Sequence, residues 1–119
     1  MLALLIFSGL LSTGSSDVRE VDFARDVRPI LSDKCYACHG PDQAARKSEL
    51  RLDTLEGALH GGRSGFPAIV PGDRDESELW AMVSTEFREE RMPPEESGKE
   101  LTESEVETLG LWIDQGAEW

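Results

Sequence analysis

Within this chain of 119 residues, Cys35-Tyr36-Ala37-Cys38-His39 is the stretch whose residue types and spacing are best placed to do chemistry. Cysteines three apart on a helical turn lie on the same side, and the next residue adds an imidazole. Two sulfurs on one side suit attack on the two vinyl groups of one haem, forming thioethers, with the imidazole beneath the iron as fifth ligand. Covalent attachment also keeps the cofactor bound in a domain too small to enclose it. Three other chemistries compete for the same residues. A thioredoxin-like redox pair expects a βαβ context, whereas here a helical pattern leads into the motif. A zinc site needs two further ligands, and His60 is the only other Cys or His in the chain. A structural disulfide would leave His39 without a role.

Iron held by one histidine needs a sixth ligand for electron transfer, and a thioether is the common partner. The candidates are Met92, Met82 and His60. Met92 lies in Arg91-Met92-Pro93-Pro94, an irregular segment whose prolines fix the backbone at low entropic cost. Met82 fits the apolar stripe of a helix and so reads as core, while His60 abuts Gly61-Gly62 and reads as a solvated loop residue. Met92 is therefore the expected distal ligand. Arg46, Arg51 and Arg63 are the cations that could meet the carboxylates of a haem.

Three helical patterns must position these groups. Asp22 can cap a helix with Phe23, Val27, Ile30 and Leu31 on one face, interrupted by Pro29 near Arg28. Asp75, with Glu78 three residues on, can cap a second carrying Leu79, Met82, Val83 and Phe87. Thr102 with Glu105 reads as a capping box opening a third, with Val106, Leu109, Trp112 and Ile113 inward and Gly116 as its stop. Between the first two, Leu50-Arg51-Leu52 and Ala68-Ile69-Val70 suggest a short strand pair, Thr54 a helical turn through Leu59, and 61–65 a glycine-rich loop. The tryptophans Trp80, Trp112 and Trp119, with Phe23, Phe66 and Phe87, read as core and cofactor lining. The expected fold class is mainly α, with at most a short β-hairpin.

Composition limits the partners. With 24 acidic and 12 basic residues the net charge is −12, which argues against nucleic acid and for a partner with a basic docking patch. At 39% hydrophobic and 30% charged, the chain can build one core. Met1 to Leu11 is apolar apart from Ser8 and Gly9, followed by Ser12-Thr13-Gly14-Ser15-Ser16, so residues 1–16 read as a signal-peptide-like leader and 17–119 as the working domain. The apolar run is shorter than the ~20 residues of a membrane span. Export to the periplasm or cell surface is the expectation, and an uncut leader would tether the domain to a membrane.

From Phe23 to Trp119 the chain resembles the planctomycete-type cytochrome c domain, a branch of the class I cytochrome c fold. The matching segments are Val27-Arg28-Pro29-Ile30-Leu31, Cys35 through Asp42, Arg46-Lys47, Leu50-Arg51-Leu52-Asp53, Ile69-Val70-Pro71-Gly72, Ser77-Glu78-Leu79, Met92-Pro93-Pro94, Lys99, Leu101-Thr102, Trp112-Ile113 and Gly116-Ala117. The resemblance implies one haem c on Cys35 and Cys38, His39 as proximal and Met92 as distal iron ligand, and N- and C-terminal helices that cross through Phe23 and Trp112. In that family the domain commonly sits at the front of a longer exported protein, so this chain is expected to be fused to C-terminal domains. The expected role is one-electron transfer without catalysis of its own, since no paired carboxylate stands at a recognisable spacing. The alternatives are an electron-entry domain of a larger exported oxidoreductase, a haem-based sensor of small ligands, and a haem-free thiol protein.

Overall fold

A computed structural model describes residues 19–119; the leader expected over 1–16 lies outside them. Helices carry the architecture: α1 (Arg28–Lys34), α2 (Tyr36–His39), α3 (Leu55–His60), α4 (Glu78–Ser84) and α5 (Glu103–Asp114), with a π-helical turn Phe23–Val27 leading into α1 and a 3₁₀ turn at Glu95–Ser97. The Asp22 carboxylate accepts from the Arg25 amide at the start of the π turn. Pro29 sits in the first turn of α1, where its missing N–H costs nothing. The interruption expected near Arg28 is thus a change from wide to regular winding, and Phe23, Val27, Ile30 and Leu31 are all buried. Thr54 caps α3 through the Gly57 amide. The capping box of α5 is formed, with Thr102 and Glu105 each accepting the other's backbone N–H.

Four expectations need correction. Ser77, not Asp75, is the N-cap residue of α4. A turn closed by the Ser77 N–H on the Arg74 carbonyl and by the Ser77 hydroxyl on the Asp73 carbonyl carries the chain past Asp75 before the helix starts. Phe87 does not continue the α4 stripe, because the helix ends at Ser84 and the ring is 68% exposed. Phe66, expected in the core, is 67% exposed. Among the described residues there is no strand. The Leu52 amide donates to the His39 carbonyl, and the Ala68 and Ile69 amides both donate to the Ala58 carbonyl, so each extended stretch is bonded to a helix end rather than to the other.

The two ends of the described chain pack together. The Phe23 ring stacks on Trp119 at 4.4 Å between centroids and lies 5.7 Å from Trp112, contacts that add ~0.5–1.5 kcal/mol each beyond the area they bury. Arg19 donates to the Thr108 hydroxyl at 2.8 Å. The Gln115 amide accepts from the Val21 N–H at 2.8 Å and donates to the Arg19 carbonyl at 2.7 Å. On the far side of α5, Arg74 pairs with Asp114 and lies over the Trp80 ring, 4.5 Å from its centroid. The site lies between α2 with the segment that follows it and α4 with the loop that carries Met92.

Candidate functional site

Cys35 occupies the junction between α1 and α2, its N–H bonded to the Leu31 carbonyl, and its own carbonyl accepts from the amides of Cys38 (3.2 Å) and His39 (2.8 Å). One helical turn therefore presents both sulfurs and the imidazole, as their spacing implies. Both cysteines carry free thiols. Burial, with Cys38 alongside, pushes the Cys35 thiol up to about 12, so it stays protonated. After His39 the chain must double back at once. A Cβ on Gly40 would stand 2.2 Å from the Tyr36 carbonyl oxygen, and only glycine fits so close to the preceding turn.

The returning segment fixes the imidazole. His39 Nδ1 lies 3.2 Å from the Lys47 carbonyl oxygen. A carbonyl only accepts, so Nδ1 carries the proton and Nε2 keeps its lone pair. Burial lowers the His39 pKa, against smaller opposing contributions from its backbone hydrogen bonds, which favours the neutral ring that can ligate. Lys47 is itself anchored by its amide to the Cys38 carbonyl at 2.7 Å, and the Leu52 amide returns to the His39 carbonyl at 2.7 Å. The Lys47 contribution has no sequence signature, because the group that acts is a main-chain carbonyl.

Cys35, Cys38 and His39 line a cavity of about 640 Å³, and Met82, Val83 and Met92 line it too. Its walls are overwhelmingly apolar, and its volume falls within the ~300–1,000 Å³ of sites for large organic ligands. Met92 comes from the loop after α4, where its amide donates to the Met82 carbonyl at 3.0 Å; the Met92–Pro93 peptide bond is cis. His60, exposed at the end of α3, is not part of the lining. Of the three arginines proposed as carboxylate partners, only Arg63 reaches the cavity. Arg51 is committed to Asp53 through two hydrogen bonds of 3.0 and 2.6 Å, and Arg46 donates to the carbonyls of Gly40 and Pro41. Lys34 and Lys99 also line it, both drawn towards Asp33, and the sequence had not singled them out for the site. Among the described residues no three of His, Cys, Asp or Glu converge to hold a bare metal ion.

Two thiols, a neutral imidazole and two thioethers facing one apolar cavity form a donor set that fits a haem, and a small helical chain built around such a cavity has the make-up of a c-type cytochrome. The model of the family described as Planctomycete cytochrome C matches residues 35–96, more than half of the chain, and the chain belongs to that family. Neither curated proteins nor solved structures give a match. Membership implies haem c and points to haem-based electron transfer.

Proposed function

We propose that this chain is the single-haem electron-carrying domain of an exported protein, with Cys35 and Cys38 as the two thioether donors, His39 as the proximal and Met92 as the distal iron ligand. The observation that carries the reading is the lining of one apolar cavity by all four side chains, with His39 held in the tautomer that leaves Nε2 free. A haem held there supplies the one-electron couple of its iron. The protein's own residues do the rest. Lys47 orients the imidazole, the apolar lining excludes water and disfavours extra charge on the metal, and Arg63 offers a cation to the cofactor's carboxylates. No helix among the described residues is long and apolar enough to cross a membrane; the export reading rests on the leader pattern and on the compartment in which haem c is attached.

The test is expression together with haem-maturation machinery, followed by a pyridine haemochrome assay and intact mass. One haem per chain, lost in Cys35→Ala/Cys38→Ala, is the expected result. A colourless product with the mass of the bare polypeptide would overturn the reading.

A further inference from the structure

The loop that delivers Met92 also carries the most exposed large apolar side chain of the described residues, Phe87 at 68%, and Met92 itself is 39% exposed. Behind that loop lies a second groove of about 310 Å³, whose lining includes Glu86, Glu100, Glu103 and Glu107 against one cation, Arg91, which donates to the Thr85 carbonyl. It shares Val83, Met92 and Pro93 with the large cavity, so one wall of side chains separates the groove from the site. Charge is concentrated here: residues 86–107 hold nine carboxylates against three cations, a net of −6 and half of the chain's −12. Glu86, Glu100 and Glu103 are all exposed, and among the described residues none of the three pairs with a cation. No three acids converge closely enough to hold a metal ion, so the carboxylates are spaced for a broad surface and not for one cation.

We propose that the face formed by Phe87, Met92 and this acidic groove is the docking surface for a redox protein that presents a lysine- or arginine-rich patch around an apolar spot. The proposal rests on the haem reading above and adds to it where electrons enter or leave. Opposite charges steer the encounter, and an exposed aromatic ring next in the chain to Glu86 of the groove is the kind of group that anchors a complex. The occupant is a protein because the charge is spread and the centre is apolar; a small cation would use the charge alone.

The experiment uses the haem-loaded chain, reduced and mixed with an oxidised lysine-rich blue-copper protein, and in parallel with hexaammineruthenium(III). Three proteins are compared with wild type. Glu86→Gln/Glu100→Gln/Glu103→Gln neutralises the proposed face, Glu20→Gln/Glu56→Gln/Glu118→Gln removes three charges elsewhere, and Phe87→Ser removes the ring. At low salt the first should slow electron transfer to the copper protein by about tenfold, the second by less than about twofold, with the wild-type rate falling as salt rises. Phe87→Ser should slow the copper protein several-fold and leave the ruthenium complex unaffected. Equal slowing by the two triple variants, or no effect of Phe87→Ser on the copper protein, would overturn the proposal while leaving the haem reading intact. A colourless chain would overturn both.

Discussion

The main-chain N–H of Met92 donates to the carbonyl of Met82 across 3.0 Å, so the two thioethers that line the cavity start from backbones bonded to each other. Their supports differ. Met82 sits within α4, between the buried Leu79 and Val83, and its side chain is set by helix packing. Met92 stands on an irregular loop between Arg91, whose guanidinium donates to the Thr85 carbonyl at 2.9 Å, and two prolines. A loop tied at both sides can aim a side chain into a cavity without also serving the core. Met92→Ala should abolish the far-red absorption band of iron–thioether bonding and lower the potential by on the order of 0.1 V, a fraction of the ~0.8 V that axial ligands span. Met82→Ala should keep the band and lose stability, by ~2–5 kcal/mol if its side chain is fully packed and less for a half-buried one. Loss of the band in Met82→Ala but not in Met92→Ala would reverse the assignment.

The turn at Gly40 governs how His39 is presented. A methyl there would press on the Tyr36 carbonyl, a main-chain group that cannot move without unwinding α2. Gly40→Ala should therefore cost ~1–3 kcal/mol and displace the Lys47 carbonyl from Nδ1. Haem per chain should fall, and the fraction that is loaded should melt at a lower temperature. Normal loading with an unchanged melting temperature would show that the turn has slack.

Much of this was legible beforehand because the relevant signals are local. The thiol pair with its histidine, the Thr102–Glu105 box and the buried stripe of Phe23, Val27, Ile30 and Leu31 each depend on spacings of three or four residues. What was not legible depends on main-chain partners or on distant segments. The start of α4 at Ser77 follows from a turn closed on Asp73 and Arg74, whereas the local pattern pointed to Asp75, three residues ahead of Glu78. Phe66 and Phe87 read as core by type, yet both lie on loops that helix ends leave outside. The strand pair failed because Leu52 and Ala68 find helix-end carbonyls, which compete with a partner strand for the same amides. Choosing Arg63 among the three arginines required the positions of Asp53 and of the Gly40 carbonyl, both of which take up the competing guanidinium groups.

Acid should weaken the fold through the histidine and the carboxylates whose pKa values the structure lowers. The Arg25 side chain, helped by the Asp22 N–H, holds the Asp26 carboxyl down at about 2, and the Arg51 hydrogen bonds lower Asp53 in the same way. A depressed folded-state pKa contributes stability above the unfolded value near 3.8 and loses it as pH falls through the folded value. Stability should thus begin to fall below about pH 6.5, where the unfolded chain's His39 takes up a proton that the buried native ring resists, and decline further between about 4 and 2. Asp26→Asn should flatten part of that decline and lower neutral-pH stability by the same small amount, since the Arg25 side chain is 67% exposed and such pairs contribute little. Denaturant titrations across this range check it, and an undiminished slope in Asp26→Asn would place the acid sensitivity elsewhere.

Arg63 is the cation at the cavity with the fewest commitments. Its amide is fixed to the Ser48 carbonyl at 2.7 Å, which holds the loop against the segment that carries Lys47, and its guanidinium is in no ion pair among the described residues. A positive charge beside the cofactor disfavours the oxidised, more positive state, so removing it should lower the potential. For a charge ~10 Å from the iron at an effective dielectric between ~20 and ~40, the effect is on the order of 1 kcal/mol, or roughly 40 mV for one electron. Arg63→Gln should show that fall, and Arg63→Lys should recover most of it, because charge matters more here than the guanidinium fork. Arg51→Gln, which breaks a pair with Asp53 and leaves the cavity lining intact, should change stability and not potential. Redox titration of the three variants at one ionic strength decides the matter: equal shifts in Arg63→Gln and Arg51→Gln would mean that the chain's overall charge, and not this arginine, sets the potential.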